Sequence, residues 1–522
     1  MPRRHQTHAV IAITLLLGAA GQPACVSEPD TAEPASDLSD GPSKNVLFIL
    51  VDTFAVHYAG PWGGRISTPG FDAFVSESVF APNASASGTW TVPATEALLT
   101  GRHPVDEGLA PSGALSFDGP NGLGLDMGRG AEALAEPEWG GGFLADSGLL
   151  LRGVFTNALW HQLFGGFTQT HTEEVLGDHG WATQNDSGSA AWVFGQCRAQ
   201  LEANRADRPA GGWFQTCWLM DTHLEISPDP EDLAAVGGTD DLPPFPIPDA
   251  TPERFVVNGP GVYGTGLVIS DAMASLDDAG REVFTAWMRR YYEAELYGWM
   301  WRFDAFFAAA RADGLLEDTA VVLVSDHGES TGEIRAIYDD ALAERTLQRV
   351  WGHDASPYHT ERRTAFVVWA EGLQPKVIPE VVSAIDVLPT IVQLLDLEPG
   401  AGWSDWWDRA TGVPLGAGAP DRAVFSYPLA DKGPSASVVL QRGQWTLIYE
   451  VNGKLELYDH EADPEERFDL RGSAEHAAVL EALWPVLWAE VERYTAVTDV
   501  GFPPLLPPGS EAPAAAQPLL PG

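Results

Sequence analysis

The residues best suited to chemistry in this sequence stand where a strand or helix would present them. Residues 88–104, GTWTVPATEALLTGRHP, set Thr91 just before a helix that Pro93 can open and Gly101 can close. Unpaired amides and the macrodipole at such an end favour an anion, and a hydroxyl there could attack a phosphoryl or sulfuryl centre if something lowers its pKa. A divalent cation would do so. Asp52, Asp326 and His327 follow apolar runs and are candidate ligands. Taken alone, a threonine before a proline-opened helix is most often only an N-cap, and an aspartate at a strand end only caps a loop in about a third of cases. The argument rests on their combination.

The elements that must position these groups are readable. NVLFILVD, ending at Asp52, is a continuous apolar run of the kind found in a strand buried on both faces of a parallel sheet. FQTCWLMD ending at Asp221, TAVVLVSD ending at Asp326 and TAFVVWA over 364–370 share the form, and residues 153–158 are a shorter candidate. Helical patterns over 70–78, 142–148, 191–204 and especially 281–314 alternate with them. This alternation predicts a doubly wound α/β sheet, in which ligands bind outside the carboxyl ends of the strands, so one cleft would collect Asp52, Asp221 and Asp326. Residues 105–141 and 224–266 read as long loops. From about residue 400 the pattern turns to short strands, the last two separated by Asn452-Gly453, a hairpin signal, and a helix over 475–494 follows. The expected division is therefore a catalytic domain over 45–399, a small α+β subdomain over 400–500 and a Pro/Ala-rich tail over 501–522.

Composition narrows the partners. Thirty basic residues against seventy-three acidic ones leave a net charge of −43. The only lysines are Lys44, Lys376, Lys432 and Lys454, so nucleic acid is not an expected partner. Three cysteines exclude a disulfide framework or a thiolate zinc site and allow at most one bridge, taken as Cys197 to Cys217. Residues 1–25 have a basic start, an apolar run too short to span a bilayer and then small residues before Cys25, which reads as a secretory signal. A lipid on Cys25 would attach the chain to a membrane; cleavage with free export and a retained anchor are the alternatives. Residues 26–44 form an acidic tether. The expected location is thus the periplasm, the cell envelope or the extracellular space. No oligomeric state is legible.

VLFILVDTF, STPGFDAF, WTVPATEALLTGRHP, LMDTH, LVSDHGES, WGHDASPYHTERRTAFVVWAEG, VSAIDVLPTIVQLL and QWTLIYEVNGKLELYDHEADPEERFDL, in this order, resemble the sulfatase family of the alkaline phosphatase superfamily. The resemblance runs from about residue 45 to residue 494. It implies an alkaline-phosphatase-like, mostly parallel sheet with a small C-terminal subdomain. It also implies a metal cluster of Asp52, Thr91, Asp326 and His327 with Thr91 as nucleophile, and His223 and His353 as substrate-contacting or proton-donating groups. Asp221 would orient His223 or the ligand set, while His161 and His359 would be bystanders.

The sequence departs from that family in ways that bear on the reaction. Its usual members carry Cys or Ser in C/S-x-P-x-R, oxidised to an aldehyde whose hydrate attacks sulfur. Here the text is Thr91-Val92-Pro93-Ala94-Thr95. Threonine cannot give that aldehyde, the arginine is missing, and no lysine lies within the motifs that carry Asp52, Thr91, His223, Asp326 and His353, so transition-state charge is less well offset and monoanionic esters are favoured. One ion is expected, because Asp221-Thr222-His223 lacks the acid-to-histidine spacing that holds a second. It would be calcium, manganese or zinc, with His327 favouring the latter two. The expected function is a metal-dependent hydrolase of sulfate or phosphate esters, small-molecule or glycan. A phosphotransferase or phosphodiesterase working through a phospho-threonine and a non-catalytic sulfoglycan binder are the alternatives. Trp139, Trp160, Trp299 and Trp301 are candidate stacking platforms for a sugar or aryl ring.

Overall fold

The structure is a computed structural model. It describes residues 38, 43–107, 115–116, 126–127, 144, 147–157, 172–176, 189–223, 226–247, 275–332, 351–353, 356–398, 407, 410–428, 437–498 and 501–503. Residues 1–25, most of the tether, the tail after residue 503, His161, Trp139, Trp160, Lys432 and four of the seven residues of the expected helix over 142–148 lie outside these residues.

Asn45–Val51 forms β1, buried from Val46 onward, at the centre of an eight-stranded sheet. The other strands are β2 (Val79–Phe80), β3 (Leu150–Phe155), β4 (Thr172–Leu176), β5 (Trp213–Leu219), β6 (Thr319–Ser325), β7 (Phe366–Ala370) and β8 (Lys376–Val377), in the order β8-β2-β7-β6-β1-β5-β3-β4. β6, β1, β5, β3 and β4 run parallel. β7 runs antiparallel to β6, so the TAFVVWA run, expected as one more parallel strand, reverses direction. A run buried on both faces carries no signal of direction; within this sheet β7 is the reversed strand, since β2, antiparallel to β7, and β8, parallel to β2, run with the parallel set.

Side chains alternate across the sheet. Leu47, Ile49 and Val51 enter the core with α1 (Pro69–Ser76), α3 (Ala190–Asp207) and the 35-residue α4 (Asp278–Ala312). Val46, Phe48 and Leu50 enter the opposite core with α2 (Thr91–Thr100) and α6 (Val387–Leu394). The four-residue α5 (His359–Arg362) lies just before β7. The Cys197–Cys217 disulfide joins α3 to β5, with both cysteines fully buried.

The C-terminal subdomain packs α7 (Ala477–Thr498) on an antiparallel sheet of β9 (Val424–Ser426), β10 (Ser437–Arg442), β11 (Trp445–Glu450) and β12 (Leu455–Asp459). Gly453, at φ +87°, turns the β11–β12 hairpin as Asn452-Gly453 predicts. The expected loop over 224–266 contains a short helix, Pro230–Ala235. Among the described residues no helix is long and apolar enough to cross a membrane.

Candidate metal centre and active site

Strand register builds the centre. Val51 pairs with both Leu219 and Ser325, so the next residues of β1 and β6, Asp52 and Asp326, emerge side by side at neighbouring strand ends. Both are fully buried. Asp52 Oδ2 accepts hydrogen bonds from Asn157 Nδ2 at 2.9 Å and Trp218 Nε1 at 3.1 Å, while its Oδ1 has no partner. Asp326 Oδ1 accepts from the backbone N–H of Thr53 at 3.1 Å and of His327 at 2.8 Å, while its Oδ2 has none. His327 Nδ1 lies 2.9 Å from the carbonyl oxygen of Gly328. That oxygen can only accept, so Nδ1 carries the proton and Nε2 keeps its lone pair, buried and without a partner.

Asp52, Asp326 and His327 each offer an atom within 4.8 Å of the others. Burial, then the neighbouring Asp52, holds the Asp326 carboxyl well above the ordinary range. Burial, then His353, pushes His327 down to about 3, so the ring is neutral. Two buried carboxylates and an imidazole with three open lone pairs repel one another unless a cation lies between them. The donor set fits a divalent ion, with the imidazole favouring manganese or zinc and the carboxylates compatible with calcium. The loop is held from behind: Thr53 sits at φ +53°, Tyr292 Oη donates to its carbonyl and accepts from Ala55 N–H, each at 2.7 Å, and Thr222 Oγ1 donates to Asp52 O at 2.6 Å.

A group of histidines adjoins this centre. The rings of His327 and His353 are 4.5 Å apart, and those of His353 and His223 are 5.1 Å apart. His353 Nδ1 is 3.0 Å from Oε2 of the buried Glu329, which fixes the ring's orientation. Burial, with His223 beside it, lowers His353 to about 3. Asp221 does not orient His223. Its Oδ1 accepts from Ala190 N–H at 2.9 Å, in the first turn of α3, and its Oδ2 has no partner. Burial raises this carboxyl to about 6 despite that bond.

Thr91 is the first residue of α2 rather than the residue before it; Trp90 occupies the N-cap and makes no side-chain capping bond. Gly101 ends the helix at φ +67°. Thr91 is 4% exposed, and Thr95, where the family has arginine, is buried with its hydroxyl unpartnered. The described lysines serve elsewhere: Lys44 pairs with Asp318, Lys376 lies in β8, and Lys454 pairs with Glu456. Trp299 is fully buried against Phe54 and Phe71, and Trp301 Nε1 donates to Asp232, so the first is core and the second is a structural contact.

Sequence reasoning missed Asn157, Trp218 and Glu329. Asn157 lies two residues beyond the end of β3, so the strand-end rule that found Asp52 also reaches it. Trp218 looks like any apolar strand residue until its indole N–H is located. Glu329 stands inside the DHGES segment.

Residues 281–397, which contain Asp326, His327, Glu329 and His353, match the family model described as Sulfatase. The choline-sulfatase of Rhizobium meliloti (strain 1021) is 27% identical over 173 residues, 32% of this chain. That match spans 30% of the length of the curated relative. A structure solved in complex with its substrate D-glucosamine-2-N,6-O-disulfate superposes at a TM-score of 0.60 with 14% identity, covering 87% of this chain and 98% of the other. A phosphonate monoester hydrolase from Silicibacter pomeroyi superposes at 0.56 with 18% identity, covering 86% and 95%. The chain thus has the alkaline-phosphatase-like fold of these proteins, and its segment 281–397 is sulfatase-like in sequence.

Proposed function

We propose that this protein is an exported, metal-dependent hydrolase of sulfate esters in which Thr91 is the nucleophile. The observation that carries the reading is the convergence of three buried, unsatisfied ligand atoms from Asp52, Asp326 and His327 at the carboxyl end of the sheet. A divalent ion bound by them would supply positive charge that favours an ionised hydroxyl and offsets the charge of a tetrahedral anion. Asn157 and Trp218 hold Asp52 with its other oxygen left open, and Gly328 fixes His327 in the ligating tautomer.

Thr91 Oγ1, at the amino end of α2, forms a bond to sulfur as the bond from sulfur to the alcohol oxygen breaks. The Thr91 proton passes by way of His223 or His353 to the departing oxygen. Water then attacks the sulfated threonine, releasing sulfate and returning the proton to Oγ1. Sulfated small molecules or glycans are the proposed substrate class, in keeping with the sulfated amino sugar and the choline-sulfatase named among the similar proteins. Export agrees with the buried Cys197–Cys217 bond, and attachment through a lipid on Cys25 belongs to the same proposal.

A second reading, phosphoryl transfer, is favoured by Thr91 itself, since an unmodified hydroxyl suits a phospho-threonine better than an aldehyde-hydrate mechanism, and by the fold shared with a phosphonate monoester hydrolase. A third, a non-catalytic sulfoglycan binder, draws on Thr95 standing in place of the arginine. Release of p-nitrophenol from the sulfate, the phosphate and a phosphodiester ranks the first two. Mass detection of a covalent adduct on Thr91, with metal analysis of the purified protein, tests the nucleophile. Turnover of none of the three, with sulfated glycan still bound, favours the binder.

A further inference from the structure

Glu466, a buried carboxylate of the C-terminal subdomain, holds the turn α5 beside the metal centre. Glu466, in the segment after β12, is 6% exposed and adopts φ +49°, a conformation that a non-glycine residue holds only under tertiary constraint. Its Oε1 accepts from Arg362 Nη2 in an ion pair whose two side chains are each 1% exposed. Its Oε2 accepts from the backbone N–H of His359 at 2.8 Å. Both partners belong to α5, so Glu466 grips that turn at both ends.

α5 in turn grips the loop that carries His327. The Glu361 carbonyl accepts from Gly328 N–H at 2.8 Å, and Glu361 Oε1 accepts from Ser330 Oγ at 3.1 Å. Thr360 Oγ1 lies 3.0 Å from the same Ser330 hydroxyl. Contact is so close at Gly328 that a Cβ there would lie 2.1 Å from the Thr360 carbonyl oxygen. The Gly328 carbonyl oxygen then accepts a hydrogen bond from His327 Nδ1–H, which leaves Nε2 open toward Asp326.

We propose that Glu466 is a positioning residue for the metal centre, fixing the aim of His327 Nε2 through α5 and Gly328. This rests on the metal-binding reading above. Residues that hold a ligating histidine in place are typically worth about 10- to 100-fold in metal affinity.

Removing Glu466 alone would strand Arg362 as a buried charge. The informative variant is therefore the double substitution Glu466→Met with Arg362→Met, because replacing a buried ion pair with apolar side chains of similar size is often neutral for stability. Mn2+ affinity is measured by calorimetry on the metal-stripped full chain, with thermal unfolding in parallel. The expected result is a loss of about 10- to 100-fold in affinity. Glu466→Gln, which keeps an acceptor for the His359 N–H, should lie between the parent and the double variant. Leu487→Ala, in the fully buried core of the subdomain, should lower the unfolding temperature and leave Mn2+ affinity unchanged. Parent-like affinity in a folded double variant, or an equal loss in Leu487→Ala, overturns the role of Glu466 while leaving the metal centre intact. Failure of the parent to bind Mn2+, Zn2+ or Ca2+ overturns both.

Discussion

Two buried sets of carboxylates in this molecule have opposite character. Asp386, 1% exposed at the start of α6, uses both oxygens fully: Oδ1 accepts from Val413 N–H at 2.9 Å and Arg422 Nη1 at 3.0 Å, and Oδ2 from Ser383 N–H at 2.9 Å and Arg422 Nη2. Asp52 and Asp326 are as deeply buried, have no such cation, and each leaves one oxygen open. A carboxylate that serves structure closes all its bonds within the chain. One that serves chemistry is held by one oxygen and keeps the other available, at a cost in stability to the metal-free protein.

That contrast can be broken or sharpened by measurement. Thr91→Ala, which removes the proposed nucleophile but no carboxylate, should cut turnover by about 10⁴-fold or more and abolish any covalent adduct, as read by steady-state rates and intact mass. Asp386→Ala should lower the unfolding free energy by about 3 kcal/mol, because Arg422 loses its partner, yet leave bound metal at the parental level by elemental analysis. Chelation should remove the ion and also lower stability, by about 3 kcal/mol for a protein previously held at about 100 times its dissociation constant, with re-addition of the ion restoring the melting temperature.

Asn157→Ala, by loosening Asp52, should weaken metal binding about 10- to 100-fold by calorimetry while the melting temperature of the metal-free protein changes little. The smallest effect concerns Asp221. Its folded pKa, raised from 3.8 to about 6, means that the stability it confers is full below the unfolded value and is lost as pH rises through that window. Asp221→Asn should therefore flatten the fall in urea midpoint between about pH 4 and pH 6. A parallel shift at every pH would instead assign Asp221 an effect unrelated to its titration.

The central strands were legible because each of them must be apolar on both faces, and the candidate ligands Asp52 and Asp326 because they end those runs at the carboxyl end of the sheet, where clefts form. The direction of β7 was not, since an apolar run reads the same either way. Nor were the partners of the chemistry. Nothing near Asp221 announces that its carboxylate will meet α3 instead of His223, and Glu329, Asn157 and Glu466 acquire meaning only through residues far away in the chain. Periodicity and strand ends are local signals. Hydrogen-bond partnership is settled by tertiary packing.

The crosslink between α3 and β5 gives the molecule a chemical history. Because the two sulfurs are wholly shielded from water, a reducing agent gains access only when helix and strand separate, and their separation is a major opening event rather than a surface fluctuation. Once oxidised, the pair should therefore stay so through later changes of surroundings, keeping a record of the redox conditions in which the chain first folded.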